Sequence, residues 1–286
     1  MSVDLPTTPD DDVWPIGDFI ARFEAGLASL DGLDWPEARE RYDALCRTFA
    51  PPDPSGMHVI DERCSGVDVR RFVPAEARLG RVLFVHGGGF IIGSVRSHHG
   101  VAASLAARLG REVISVDYRL APEACYAEML ADCLAVADAC EPLALVGDSA
   151  GGRLVLDLAV KLPTEVPLGL IYPPVDGIDE STLGASAPLL SREEVLGIAA
   201  YCPEAIPPDT QAEPPVRQME VLAVAHDPLT RPLEAAVARW RHDGACIGYR
   251  CADVMVHGAL HAHARLPEMH NAWQAFCQAL KGRLGE

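Results

Sequence analysis

Hydrophobic positions near the start of the chain recur with the period of a helix. In residues 16–30 and 35–49 they return every three to four positions, which predicts two amphipathic helices before any strand. Asp34 stands where the N-cap of the second helix belongs. The Pro-rich residues 51–56 end this helical start. Residues 1–12 lack such a period, and we expect them to be loosely held.

The rest of the chain alternates short apolar runs with helical patterns. We predict strands at residues 67–73, 82–85, 113–118, 143–146, 168–172, 221–225 and 254–256. Helical patterns lie between most of them, among them residues 100–109, 150–162, 233–242 and 267–284. This alternation favours an α/β fold, in which a mostly parallel sheet carries helices on both faces.

One segment, residues 176–215, interrupts the alternation. It holds a capping-box pattern from Ser191 to Glu194, a helical stretch at residues 195–201 and a Pro-rich stretch at residues 203–215. We interpret the segment as an insertion at the carboxyl edge of the sheet.

Two glycine-rich motifs follow predicted strands and carry candidate chemistry. Residues 147–151 read Gly-Asp-Ser-Ala-Gly, between a predicted strand and a predicted helix. This is the nucleophile elbow G-x-S-x-G, whose strained turn exposes the serine, here Ser149, at the end of a strand. The elbow alone is a weak signal. Residues 86–89, His-Gly-Gly-Gly, follow another strand, and the two motifs together are specific.

An activated serine requires a base and an acid that orients the base. In folds with this elbow the chain order is serine, then acid, then histidine. Asp227 follows the strand at residues 221–225, and His257 follows the strand at residues 254–256. We therefore predict a catalytic triad of Ser149, Asp227 and His257.

Other residues compete for the two partner roles. Asp176 and Asp179 also follow a strand, but one strand earlier than the usual layout. His261 and His263 lie close to His257 in sequence. These three histidines could also ligate a metal, although no carboxylate on a clear helix face joins them, which makes the zinc signal weak. We predict no metal and no cofactor.

A serine hydrolase also needs donors for the negative oxygen of its tetrahedral intermediate. The backbone N–H of Ala150, directly after the serine, is one candidate. The N–H groups of Gly88 and Gly89 are the others, and we expect glycine there because the backbone has to approach the substrate without a Cβ.

Composition narrows the classes of partner. The 286 residues carry a formal net charge of −17, which argues against nucleic acid and anionic membrane surfaces as partners. The nine cysteines are odd in number and form no C-x-x-C pair, which favours reduced thiols in a cytoplasmic protein. The acidic start of the chain does not resemble a signal peptide, and no apolar run approaches the ~20 residues of a membrane span.

The motifs together resemble the bacterial hormone-sensitive-lipase-like esterases of the α/β-hydrolase fold. The matching segments are residues 86–90, 93–94, 98, 117–123, 147–152, 227–229 and 257–258. The resemblance implies a mostly parallel eight-stranded sheet with a helical cap, where residues 1–55 and 176–215 form the cap and residues 56–286 the catalytic domain. It further implies a cofactor-free esterase that hydrolyses small, short-acyl esters, and a homodimer built through the last helix and strand.

The chain also departs from this family. Residues 230–232 are Thr-Arg-Pro where the family usually has Arg-Asp-Glu, and Ala259 stands where it usually has Phe. The natural substrate therefore stays open. Hydrolysis of an amide or an acylated metabolite is an alternative, as is a non-catalytic small-molecule receptor, although the complete set of Ser149, Asp227 and His257 argues against a receptor.

Overall fold

The computed structural model describes residues 13–207 and 213–285. The expectation for residues 1–12, and the centre of the Pro-rich stretch at residues 208–212, lie outside the described residues. The strands are β1 (His58–Cys64), β2 (Val67–Val73), β3 (Arg78–Val85), β4 (Arg111–Val116), β5 (Ala144–Asp148), β6 (Leu168–Ile171), β7 (Gln218–His226) and β8 (Cys246–Val256). The helices are α1 (Ile16–Ala28), α2 (Trp35–Phe49), α3 (His99–Leu109), α4 (Tyr126–Cys140), α5 (Ala150–Ala159), α6 (Arg192–Gly197), α7 (Thr230–His242) and α8 (Pro267–Arg283).

The eight strands form one sheet in the order β1-β2-β4-β3-β5-β6-β7-β8. The pairs β1–β2 and β2–β4 are antiparallel. All pairs from β4 through β3 to β8 are parallel. The predicted α/β-hydrolase architecture, a mostly parallel eight-stranded sheet flanked by helices, is confirmed.

Burial on both faces explains why the central strands appear in the sequence as continuous apolar runs. In β3, Val82 and Phe84 pack into the core on one face, and Leu83 and Val85 into the core on the other. Helices α3 and α8 cover the first face, together with α1 and α2, and helices α4, α5 and α7 cover the second.

The two edges of the sheet depart from the sequence prediction. Strand β1 was not predicted, because His58–Cys64 is largely exposed and carries no apolar alternation. Strand β8 begins at Cys246, well before the predicted residue 254, because much of this edge strand is only half-buried. Edge strands face solvent, so their sequences carry a weaker hydrophobic signal.

The N-terminal helices pack against the face of the sheet that carries α3. Phe19 and Phe23 of α1 meet Phe49 of α2, with ring centroids 5.3 and 5.4 Å apart. The predicted N-cap is confirmed, since the Asp34 carboxylate accepts a hydrogen bond from the backbone N–H of Glu37 at 3.0 Å.

The segment between β6 and β7 contains α6, and its predicted capping box is also confirmed. The Ser191 side chain accepts from the Glu194 backbone, and the Glu194 side chain accepts from the Ser191 backbone. Within residues 13–207 and 213–285, no helix combines the length and apolarity that a membrane crossing requires.

Candidate active site

The carboxyl ends of four parallel strands bring the predicted site residues to one edge of the sheet. The glycine loop follows β3, Ser149 follows β5, Asp227 follows β7 and His257 follows β8. This is the edge at which open α/β sheets bind their ligands.

Ser149 occupies the strained backbone turn that the elbow motif predicts. Its φ of 49° and ψ of −123° lie in a region that L-residues rarely adopt. The flanking glycines let strand and helix close around the turn. A Cβ on Gly151 would lie 2.1 Å from the Val85 carbonyl oxygen, and a Cβ on Gly147 would lie 2.5 Å from the Gly151 carbonyl oxygen.

Ser149, His257 and Asp227 form a continuous chain of hydrogen bonds. The His257 Nε2 atom lies 2.9 Å from the Ser149 hydroxyl oxygen, and its Nδ1 atom lies 2.7 Å from Asp227 Oδ2. The other oxygen of this fully buried carboxylate accepts the backbone N–H of Leu229 at 2.8 Å. The carboxylate is therefore fixed from two sides and can hold the imidazole in one orientation.

The competing acids have other partners. Asp176 pairs with the buried guanidinium of Arg153 at 2.5 Å. Asp179 lies in an exposed turn, where it accepts hydrogen bonds from Ser181 and Thr182. Neither carboxylate takes the position next to His257.

The competing histidines have partners other than Ser149. His261 Nε2 lies 3.3 Å from the hydroxyl of Tyr42, and the Nδ1 of His263 hydrogen-bonds to the Leu260 carbonyl at 3.0 Å. Burial lowers the pKa of His261 to about 3 and that of His263 to about 4. Across the part of the chain that the structure describes, no group of three or more His, Cys, Asp or Glu side chains is placed to hold a metal.

Three backbone N–H groups next to Ser149 lack an acceptor. Among residues 13–207 and 213–285, no atom accepts a hydrogen bond from the N–H of Gly88, Gly89 or Ala150. All three residues line the cavity that contains Ser149. Free donors in such a place can stabilise a negative oxygen bound to the serine.

The glycines at these positions are required for local reasons beyond access to a substrate. At Gly88, with φ of +121°, a Cβ would lie 2.0 Å from the Ile92 carbonyl oxygen. At Gly89 the surrounding space is open, but the φ of +59° favours glycine. Both glycines were predicted from the sequence, whereas the close approach of Ile92 was not.

Asp148 links the glycine loop to the elbow, a role that the sequence analysis missed. Its buried carboxylate accepts the Gly87 N–H at 3.0 Å and faces the Nε2 of His98 at 3.2 Å. Burial acts to raise the pKa of the Asp148 carboxyl, but attraction to His98 and the hydrogen bond with it hold the pKa below its ordinary value. The sequence signal that could have revealed this role is a carboxylate at the end of an otherwise apolar strand.

The site opens into a cavity of about 340 Å³. Phe23 and Leu27 of α1 and Tyr42 of α2 line it from one side. Leu190 and Ile198 of the segment between β6 and β7 line it from another. The wall is mainly apolar, with a few polar groups near Ser149, as is typical of small-molecule sites.

Comparison with known proteins identifies the family of the chain. A family model for the alpha/beta hydrolase fold matches residues 82–261, and the chain belongs to that family. The predicted resemblance to hormone-sensitive-lipase-like esterases is confirmed.

Two relatives and one solved structure illustrate the likeness. An esterase of Acinetobacter venetianus is 35% identical over 140 residues, which are 45% of this chain and 45% of that protein. The chain thus spans less than half the length of this relative. Carboxylesterase NlhH of Mycobacterium tuberculosis is 31% identical over 225 residues, 68% of this chain and 69% of that one. An esterase from the bacterial hormone-sensitive lipase family shares the fold, with a TM-score of 0.80 over 94% of this chain and 98% of that chain at 24% identity.

Proposed function

We propose that this protein is a carboxylic-ester hydrolase in which Ser149 is the nucleophile, His257 the general base and Asp227 the orienting acid. The observation that carries the proposal is the unbroken chain from Ser149 Oγ through His257 to Asp227, with steps of 2.9 and 2.7 Å, at the floor of a cavity. Relatives named esterase and carboxylesterase support the ester as the substrate class.

The first half-reaction transfers the acyl group to the serine. The Ser149 oxygen forms a bond to the carbonyl carbon while its proton moves to His257 Nε2. The carbonyl oxygen becomes an oxyanion and accepts hydrogen bonds from the N–H groups of Gly88, Gly89 and Ala150. As the intermediate collapses, the bond to the alcohol oxygen breaks, and His257 returns the proton to the leaving alcohol.

The second half-reaction releases the acid. Water attacks the acyl carbon while His257 accepts its proton, and a second oxyanion forms at the same three N–H groups. Collapse breaks the bond to Ser149, which recovers its proton from His257. The buried Asp227 carboxylate stabilises the imidazolium in both halves without itself taking the proton.

The walls of the cavity favour short acyl chains. In this proposal α1 and α2, within residues 1–55, and the insertion at residues 176–215 act as a cap over the catalytic domain, residues 56–286. Each methylene buried against this wall contributes about 0.8 kcal/mol until the cavity is full, after which overpacking opposes binding. A series of p-nitrophenyl esters should therefore show kcat/KM rising from acetyl, peaking before or near hexanoyl, and falling steeply. A steady rise up to palmitoyl, or activation at a lipid interface, would contradict a closed pocket.

Active-site labelling tests the chemistry independently of the substrate. A fluorophosphonate should modify one residue, and peptide mapping should identify it as Ser149. Matched p-nitrophenyl ester and p-nitroanilide substrates with the same acyl group then separate esterase from amidase activity. The proposal expects turnover of the ester to dominate, and labelling at another residue or faster turnover of the anilide would overturn it.

A further inference from the structure

A polar corner interrupts the apolar wall of the cavity. We define this polar corner as Tyr42, Cys46 and His261. The Tyr42 hydroxyl and the Cys46 thiol both approach Nε2 of His261, at 3.3 and 3.7 Å. His261 is 6% exposed and lines the same cavity as Ser149, yet the proposed reaction does not use it.

The chemistry of the polar corner determines which nitrogen of His261 carries the proton. Burial raises the pKa values of Tyr42 and Cys46 well above their ordinary ranges, so both keep their protons. Burial also lowers the pKa of His261 to about 3, so the ring is neutral near pH 7. A phenol is a stronger acid than a neutral imidazole N–H, and an imidazole nitrogen is a stronger base than a phenol oxygen. The hydroxyl therefore donates to Nε2, and the ring proton resides on Nδ1.

This Nδ1–H group has no acceptor in the part of the chain that the structure describes. It is also not sealed off from solvent, unlike the unpartnered Nε2 of His86. The ring is held in place by contacts with His98 and Phe23, at centroid distances of 4.6 and 5.8 Å. A fixed, unpaired donor in a binding cavity is suited to recognise an acceptor on the ligand.

The neighbouring groups define the kind of acceptor. The ring of His98 contacts His261 and hydrogen-bonds with the Asp148 carboxylate at 3.2 Å, and Asp148 directly precedes Ser149. His261 and Ser149 line the same cavity, so a substrate held at Ser149 can present a second oxygen to this donor. A carboxylate on the substrate would be repelled by the Asp148 carboxylate. An uncharged ether, carbonyl or hydroxyl oxygen would not be repelled.

We propose that His261 is a specificity-determining residue whose Nδ1–H binds a neutral acceptor oxygen in the substrate, within the cavity that also holds the scissile ester. The inference rests on the proposed function and narrows its substrate class to esters with a second, uncharged oxygen. A residue that only fills the wall of the cavity would select for length and not for oxygen.

Pairs of esters in which an ether oxygen replaces one methylene test whether His261 selects for oxygen. On the acyl side, p-nitrophenyl methoxyacetate is compared with p-nitrophenyl butanoate, and the next two longer methoxy esters with the alkyl esters of equal length. On the alcohol side, methoxyethyl butanoate is compared with butyl butanoate by acid titration. The ratio of kcat/KM for ether over alkyl ester is measured in the wild type and in variants, because intrinsic reactivity cancels between the two proteins.

In His261→Phe the ring remains and the donor is lost. For at least one pair, the ether-to-alkyl ratio of the wild type should exceed that of His261→Phe by roughly two- to tenfold, the effect of one neutral hydrogen bond. His261→Asn places an amide N–H near the position of Nδ1 and should retain part of the ratio. Because His261→Phe leaves the Tyr42 hydroxyl buried without a partner, the double variant Tyr42→Phe/His261→Phe provides the same test in a protein without that penalty.

Equal ratios in the wild type and both phenylalanine variants, for every pair on both sides of the ester, would overturn the inference. Ser149→Ala, assayed on the same esters, separates this failure from failure of the proposed function. If Ser149→Ala is inactive while the ratios are equal, the esterase assignment stands and the role of His261 falls. If Ser149→Ala remains active, both fall.

Discussion

The guanidinium of Arg39 donates a hydrogen bond to the main-chain carbonyl of Ile91 at 2.9 Å. It also reaches the carbonyl of Ala121 at 2.8 Å and pairs with the Glu123 carboxylate at 2.7 Å. Ile91 itself donates to the Gly88 carbonyl at 3.2 Å. One side chain of α2 thus fastens the N-terminal helices to the loop that carries the proposed oxyanion donors.

Arg39→Met should lower kcat/KM about tenfold, because it keeps the apolar stem but releases a loop whose position must be held to a fraction of an ångström. Arg41→Met is the matched control on the same helix, since Arg41 pairs with Glu37 in an exposed contact. Hydrolysis and thermal unfolding should be measured for both. Equal activity of the two variants would show that the loop does not depend on Arg39.

Asp227→Asn should lower kcat about 10⁴-fold while the fold is retained, because an amide no longer favours the tautomer of His257 that accepts the serine proton. Asp179→Asn is the control, since Asp179 lies in an exposed turn. Its activity should match the wild type. Comparable losses in the two variants would mean that Asp227 does not orient the base.

The value of kcat/KM should fall as pH is lowered from neutral, because a protonated His257 cannot accept the serine proton. His261 cannot cause this fall, since burial lowers its pKa to about 3. The same fall in kcat/KM toward low pH should therefore persist in His261→Asn. Its disappearance in that variant, or a flat profile in the wild type, would refute the assignment.

Acid should destabilise the fold through its buried neutral histidines. Burial lowers the pKa of His86 to about 3, of His261 to about 3 and of His263 to about 4. The unfolded chain protonates these rings near their ordinary pKa of 6.5, so their contribution is complete above about pH 6.5 and is lost as pH falls toward 3 to 4. Between pH 7 and 5 the free energy of unfolding should fall by about 2 kcal/mol per histidine.

Urea unfolding at pH 7 and at pH 5 measures this decrease in the free energy of unfolding, which we call the pH slope. His263→Asn keeps a donor for the Leu260 carbonyl but cannot be protonated. Its pH slope should therefore be smaller than that of the wild type by the contribution of one histidine. An unchanged slope would show that His263 does not titrate with unfolding.

Local sequence signals predicted the core of the fold and the residues of the candidate site. The strands around the elbow are buried on both faces, so their apolar runs are unmistakable, and each proposed catalytic residue follows one of them directly. The alternation of strands and helices then brings Ser149, Asp227 and His257 to one sheet edge.

The features that the sequence did not predict depend on partners far away along the chain. Arg39 meets Ile91 across 52 positions, and Tyr42 meets His261 across 219. No local pattern encodes such pairs. Strand β1 was missed because its side chains are polar and exposed, although antiparallel pairing with β2 defines it as a strand.

Substitution of Ser149 by alanine tests the central claim most directly. The purified Ser149→Ala protein should retain the far-ultraviolet circular dichroism of the wild type, lose fluorophosphonate labelling, and hydrolyse p-nitrophenyl butanoate at least about 10⁴-fold more slowly. Turnover close to that of the wild type in a folded Ser149→Ala protein would contradict the account, because no other residue is proposed to attack the ester.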